Sequence, residues 1–270
     1  MTQEGERALT NEELERASQV VAGAQYVVAL VGAGLSVESG IPPFRGPGGL
    51  WTKIGEPTSR NYQRFLEDPA TWWREQLKPQ EGPRAEFTAS FATAKPNAGH
   101  YALAELERMG TLRHVITQNV DNLHRVAGSV NLAEIHGNRT LLRCMECNRR
   151  FPRAGFPIDE MDLPPRCPRC GGVVKGDGVM FGEPIPKDVL AVCHEQAELC
   201  DCMIVIGTSA TVYPAAGFAE MVYQKGGSLI EVNMYETPLT PFCQVALRGP
   251  SGEVLPRLVA SVRELASQRT

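Results

Sequence analysis

The sequence predicts an α/β fold, a parallel sheet with helices, plus a smaller domain assembled from two insertions. Three observations predict it. A short continuous apolar run stands at residues 26–31, and further strand candidates at 113–117, 201 or 202 to 206, and 229–232. The first suits a strand buried on both faces of a sheet. Helical patterns precede them at residues 11–23, 99–109, 189–199 and 215–224, and strands separated by helices favour parallel pairing. Finally, two stretches break this rhythm, one rich in aromatics and one carrying paired cysteines.

The elements can be justified in order. Over residues 11–23, Leu14, Ala17, Val20 and Val21 recur at intervals of one helical turn. Residues 47–95 hold Pro, Gly and the aromatics Trp51, Tyr62, Phe65, Trp72, Trp73, Phe87 and Phe91. That is too apolar for a linker and reads as a partly helical insertion flanking a cleft. The paired tryptophans are expected to pack core, because large aromatics act mainly through buried area. Residues 141–175 form the second insertion, and 255–265 a final packing helix. The division expected is a large domain from 14–46, 96–140 and 176–265, with 47–95 and 141–175 forming the small one.

Composition excludes several classes of function. The 270 residues are 43% hydrophobic and 21% charged, ordinary for a globular chain with a substantial core. With 27 basic and 31 acidic residues the formal charge is -4, so no global cationic field draws nucleic acid. The opening MTQEGERALTNEELER is polar and lacks the basic start and apolar run of a signal peptide. No apolar run reaches the roughly 18 residues of a membrane span. A cytoplasmic chain without membrane contact is expected, its oligomeric state left open. Of eight cysteines, four form two C-x2-C pairs, while Cys193, Cys200, Cys202 and Cys243 have no framework spacing. This pattern suits one metal site and free thiols in a reducing compartment.

After the first apolar run, Gly32-Ala33-Gly34 lets backbone approach a ligand without a side-chain barrier. Successive amides at such a turn favour a pyrophosphate. Yet G-A-G-L-S-V lacks the third glycine of G-x-G-x-x-G, and no acidic ribose anchor follows at the usual place. A tight structural turn is the competing reading. Downstream, two prolines hold residues 41–44 in a defined path. Phe44 can cover a sugar or leaving base, and Arg45 offers a rigid fork of donors to phosphate or carboxylate.

Residues 117–124, TQNVDNLH, follow an expected strand, where parallel sheets place ligand crevices. Gln118, Asn119 and Asp121 offer partners for hydroxyls and a carboxamide; the alternative is a self-bonded loop. His136, in E-I-H-G-N, can accept a proton near neutral pH, with Gly137 permitting close approach. Cys144-x2-Cys147 and Cys167-x2-Cys170 are separated by 19 residues. Their thiolates can enclose one tetrahedral zinc with no open position, hence a structural metal. The nearby Arg143, Arg149, Arg150, Arg166 and Arg169 favour charged thiolates, although most are expected to be solvated. A nucleic-acid finger is a live alternative, but no aromatic ladder or base-reading helix accompanies the clip. Stable nucleic-acid binding is not expected.

From about Val20 to Ala246 the chain resembles the sirtuin family of NAD-dependent protein-lysine deacylases. GAGLSVESGIPPFR, TQNVDNLH, EIHGN, the two cysteine pairs, VMFGEP, GTSATVYPA and EVN stand in the family's order. The resemblance implies a Rossmann-like sheet with a smaller zinc-binding and helical domain. It implies NAD as a consumed co-substrate and one structural zinc. Gly32, Ala33, Gly34, Ser36, Phe44, Arg45, Gln118, Asn119, Asp121, Gly207, Thr208, Ser209, Asn233 and Ala246 would serve NAD. His136 would be the general base, and Asn119 with Asp121 would line the nicotinamide pocket. Val179, Met180, Phe181, Gly182 and Glu183, with Val212, Tyr213 and Pro214, would receive an acyl-lysine protein or peptide as an added strand. The resemblance implies that the acyl oxygen would attack the ribose carbon and expel nicotinamide. His136 would then deprotonate a ribose hydroxyl for attack on the acyl carbon, and water would complete the transfer. The products would be free lysine and 2'-O-acyl-ADP-ribose. NAD hydrolysis, ADP-ribosyl transfer or a noncatalytic NAD-responsive module are the alternatives.

One departure concerns Asn122, where the family usually has glycine; asparagine tolerates the left-handed backbone such a position demands. A second concerns acyl choice. EFTASFATAKPNAGH lacks the Tyr-x-x-Arg pair of sirtuins favouring succinyl or malonyl groups. Apolar acyl groups are therefore expected, acetyl first.

Overall fold

Thr10 starts the first helix through a capping box. Its hydroxyl accepts from the Glu13 amide, and the Glu13 carboxylate accepts from the Thr10 amide. The computed structural model describes residues 9–268, so the first eight residues of the polar opening stretch lie outside the described residues. Helix α1 (Asn11–Gly23) buries Ala17 and Val21 completely, on the face its periodicity predicts.

Nine strands follow in the described chain: β1 (Val27–Val31), β2 (Leu112–Thr117), β3 (Leu132–Glu134), β4 (Leu141–Cys144), β5 (Arg150–Pro152), β6 (Val174–Gly176), β7 (Cys202–Ile206), β8 (Ser228–Asn233) and β9 (Val245–Arg248). Six form one parallel sheet in the order β3-β2-β1-β7-β8-β9. The residues of β1 and β7 are all buried, which is why both read as unbroken apolar runs. The chain runs outward from β1 to β3, then returns to the other side of β1 for β7. That reversal makes the β1/β7 junction a switch point, and open α/β sheets bind ligands beyond the carboxyl ends of the strands there.

Helices cover both faces. Between α1 and β2 come a 3-10 turn (Ala33–Ser39) and then α2 (Leu50–Ile54), α3 (Arg60–Glu67), α4 (Pro69–Leu77), α5 (Gly82–Thr93) and α6 (Ala98–Arg108). Further on come α7 (Leu123–Ala127), α8 (Lys187–Leu199), α9 (Ala215–Gln224) and α10 (Ser251–Ser267). Ala17, Leu103, Leu106, Leu255 and Leu258 join one face of the sheet in a single core. Cys193, Ala197, Phe218, Ala219 and Val222 join the other. No helix among the described residues is long and apolar enough to cross a membrane.

The smaller sheet, β5-β4-β6, is antiparallel and carries the cysteine pairs. Trp73 of α4 is buried against Leu142, Cys144, Cys167 and Val174, and its indole N–H donates to the Val174 carbonyl at 2.8 Å. Trp72 meets Trp73 edge-on at 5.5 Å. The tryptophans are thus core residues, tying the helical insertion to the cysteine-bearing one.

Candidate active site

The loops after β1, β2, β3, β7 and β8 converge at the carboxyl edge of the large sheet. At the switch point the chain passes so close to itself that side chains are excluded. A Cβ on Gly34 would lie 2.6 Å from Gly207 Cα. The Gly34 amide donates to the Gly207 carbonyl at 2.8 Å. The G-A-G turn is therefore built by contact with a second glycine turn after β7, in addition to its local geometry. Gln118 crosses the same junction, donating to the Thr208 hydroxyl at 2.9 Å, and Asn233 donates to the Thr208 carbonyl at 2.9 Å. Ser209 pairs with Thr211 at an exposed turn.

Beside this cradle lies a hollow lined by Ala33, Ser36, Ile41, Pro42, Phe44, Phe91, Asn119, Val120 and Asp121. Its polar side is fixed by a connected set of bonds. Asn119 donates to the Gly32 carbonyl at 3.0 Å and to Ser36 Oγ at 3.2 Å, while Ser36 donates to Asp121 at 2.7 Å. Asp121 also accepts from the Leu123 amide. Burial nevertheless raises the Asp121 pKa, opposed by those two hydrogen bonds. Ile41, Pro42 and Val120 were not singled out by sequence reasoning as lining residues, because apolar residues in a loop carry no chemical signal.

His136 follows β3 and is half-buried, with Nδ1 at 3.1 Å from the Gln118 carbonyl. A carbonyl only accepts, so Nδ1 carries the hydrogen and Nε2 keeps its lone pair. Burial lowers the His136 pKa, outweighing that hydrogen bond, which favours the protonated form. Gly137 has φ +77 and would clash if substituted, since its Cβ would lie 2.2 Å from the Asp177 carbonyl. The ring is thereby held between the turn after β2 and the segment after β6.

That segment, residues 178–183, abuts His136 directly: the Val179 amide donates to the His136 carbonyl at 2.9 Å. Phe181 packs edge-on against Trp51 at 5.1 Å, and its carbonyl accepts from the Tyr62 amide. Gly182 approaches Ser59 too closely for any side chain. Glu183 turns inward, accepting from the Met180 amide at 2.8 Å and pairing with Arg143 and Lys175. Its carboxylate is committed to the interior, so any contact with a peptide would come from its backbone.

Other expected residues stand apart. Arg45 pairs with Glu56 and lies over the Trp51 ring at 4.6 Å, outside the hollow that Phe44 lines. Ala246 sits on edge strand β9 opposite Glu231, with no hydrogen bond to the cradle among the described residues. Val212, Tyr213 and Pro214 lead into α9, Tyr213 exposed and bonded to Glu220. No hydrogen bond joins that turn to residues 179–183 among the described residues. Asn122 adopts φ 71, the left-handed conformation expected of it, and its side-chain oxygen accepts from Asn138 at 2.8 Å.

The four paired cysteines gather their sulfurs within 4.8 Å of one another, with separations of 3.5 Å for Cys144–Cys170 and 3.8 Å for Cys147–Cys167. Four thiolates on a tetrahedral zinc stand roughly 3.8 Å apart, given zinc–sulfur bonds near 2.3 Å. The set fits that ion and leaves no position for water. Arg143 corrects one expectation: it is buried and directed at Asp177 and Glu183 instead of neutralising thiolates from solvent. Asp177 and Lys175 were missed altogether, since a buried charge has no signature in one sequence, and Asn138 stood in the E-I-H-G-N motif without a role.

The fold and site define an open α/β protein whose ligand crevice lies at the sheet's switch point, with a four-cysteine module alongside. Residues 32–214 match the model described as the Sir2 family. The chain belongs to that family. It is 44% identical over 256 residues to the NAD-dependent protein deacylase of Pyrococcus abyssi, covering 92% of this chain and 97% of the relative. A solved Sir2 homolog–NAD complex is similar with a TM-score of 0.78 and 42% identity, covering 97% of both chains. A Sir2 protein solved with a myristoylated histone peptide is similar with a TM-score of 0.68 and 34% identity, covering 96% of this chain and 100% of that one.

Proposed function

We propose that this chain is a NAD-dependent protein-lysine deacylase that transfers an acyl group from lysine to ADP-ribose. One observation carries the reading: the backbone turn after β2 serves both reactive halves. Its Asn119 and Asp121 wall the hollow, while its Gln118 carbonyl sets the tautomer of His136.

NAD, as co-substrate, supplies an electrophilic ribose carbon once its nicotinamide enters the hollow. Asn119 and Asp121 orient the carboxamide, and the apolar Ile41, Pro42 and Phe44 exclude water there. Gly32, Ala33, Gly34, Ser36, Gln118, Gly207, Thr208, Ser209 and Asn233 hold the remaining dinucleotide, with Arg45 recruited from Glu56 to the phosphates and Ala246 beside adenine. The acyl-lysine peptide adds as a strand between residues 179–183 and 212–214. The acyl oxygen would displace nicotinamide from the ribose carbon. His136, neutral with Nε2 free, would then take a ribose hydroxyl proton so that this oxygen attacks the acyl carbon, and water would complete the release of lysine.

The zinc, held by Cys144, Cys147, Cys167 and Cys170, is structural. The large domain of 14–46, 96–140 and 176–265 then carries NAD, and the small one of 47–95 and 141–175 frames the peptide cleft. We place the enzyme in the cytoplasm, acting without stable nucleic-acid contact. Apolar acyl groups, acetyl first, are the expected substrates. The test is mass spectrometry of a reaction containing NAD and an acetyl-lysine peptide. Equal amounts of nicotinamide, free-lysine peptide and O-acetyl-ADP-ribose are expected. Free ADP-ribose released at the same rate without peptide would overturn the reading in favour of a glycohydrolase.

A further inference from the structure

Arg143 and Lys175 face one another directly across the antiparallel β4–β6 pair. Like charges so placed repel, and both side chains are buried, Lys175 completely. Two anions resolve the conflict. Glu183 reaches from the substrate segment to Lys175 at 3.0 Å and to Arg143, and Asp177 stands 3.2 Å from Arg143. These four buried charges balance, as buried charges must, and the less buried Arg150, which also meets Asp177 at 3.0 Å, has its own partner in Asp188 at 3.2 Å. Lys175 spends its remaining hydrogens on the carbonyls of Gly176 and Gly178, each at 2.7 Å. Glu183 accepts from the Met180 amide with the same oxygen that meets Lys175. Asp177 accepts from the Asn138 amide at 2.9 Å, two residues beyond His136. Both ends of segment 178–183 are therefore pinned to the cysteine module by charge.

We propose that Glu183 is a positioning residue for the acyl-peptide, holding segment 178–183 in the shape that receives it. The inference rests on the deacylase reading above and deepens it. A preformed edge costs the incoming peptide less ordering than a loose one. Among the described residues this charge network reaches the peptide segment and makes no hydrogen bond to the glycine cradle at Gly34 and Gly207, so its influence falls on one substrate.

The experiment compares Glu183→Gln with the paired Lys175→Met/Glu183→Gln variant, using NAD and an acetyl-lysine peptide, with zinc content and Tm measured alongside. Glu183→Gln leaves two buried cations against one buried anion, Asp177, which Arg150 also shares, so Tm falls; the paired variant removes one of those cations, so Tm recovers. Peptide KM is expected to rise at least about tenfold in both, because both lose the preformed segment. The NAD KM and zinc content stay within about twofold of the unaltered chain. A peptide KM that recovers together with Tm, or a NAD KM that rises equally, overturns the inference. Normal turnover with an unmoved peptide KM also overturns it, leaving the deacylase reading intact. Absence of peptide turnover in the unaltered chain overturns both.

Discussion

At the residue scale, His136 illustrates what a motif conveys and what only packing decides. Its identity stands out in E-I-H-G-N, whereas its tautomer follows from the Gln118 carbonyl, 18 positions away in sequence. Burial favours the neutral ring, so the lone pair on Nε2 persists as pH falls below the ordinary histidine value of about 6.5. The acidic limb of kcat/KM for an acetyl-lysine peptide should accordingly lie below that value; a limb above pH 7 would contradict it. Asn122 makes the same point. Its left-handed backbone was legible from the glycine the family usually places there and from asparagine's tolerance of that conformation, but its bond to Asn138 was not.

At the scale of elements, the α6–α7 pair carries a measurable liability to acid. His100 and His124 meet edge-on at 5.1 Å, and His100 Nε2 and both ring nitrogens of His124 are buried without a hydrogen-bond partner among the described residues. Desolvation lowers their pKa values to about 4 and about 3, with His100 further lowering that of His124. In the unfolded chain both protonate near pH 6.5. Stability from these neutral rings is therefore full above about pH 6.5 and is lost as pH falls towards their folded values. The slope approaches about 1.4 kcal/mol per pH unit for each ring. Denaturant titrations at pH 7 and pH 5 should show this loss, and His124→Phe should remove one ring's share, up to about 1.4 kcal/mol per pH unit, while His114 and His136, also lowered by burial, keep theirs. Equal pH dependence in that variant would contradict the assignment. The sequence revealed less of the shorter elements. Runs of three or four residues in β3, β5, β6 and β9 are too brief for periodicity to register. By contrast β1 and β7 were readable, because burial on both faces forces continuous apolar runs, and β8 reads the same way apart from Glu231.

For the whole molecule, the parallel α/β class and the four-cysteine cluster were legible, while their juxtaposition was not. C-x2-C spacing predicts a metal knuckle but says nothing of which loop it supports. Only the folded chain shows that the module's buried charges press Asp177 against Gly137 and Glu183 under the substrate segment. Strand order had the same status: the glycine motif was visible, but the switch point arises from β7 returning beside β1. On the proposed reading, the site splits the chemistry between a hollow from which nicotinamide is expelled and an imidazole that acts afterwards. The direct test is His136→Ala, assayed both for deacylation and for exchange of labelled nicotinamide into NAD. Deacylation should fall by at least about a hundredfold, with peptide-dependent exchange kept within about tenfold of the unaltered chain. Undiminished deacylation, or loss of exchange in a variant that still binds NAD and peptide, would contradict the account.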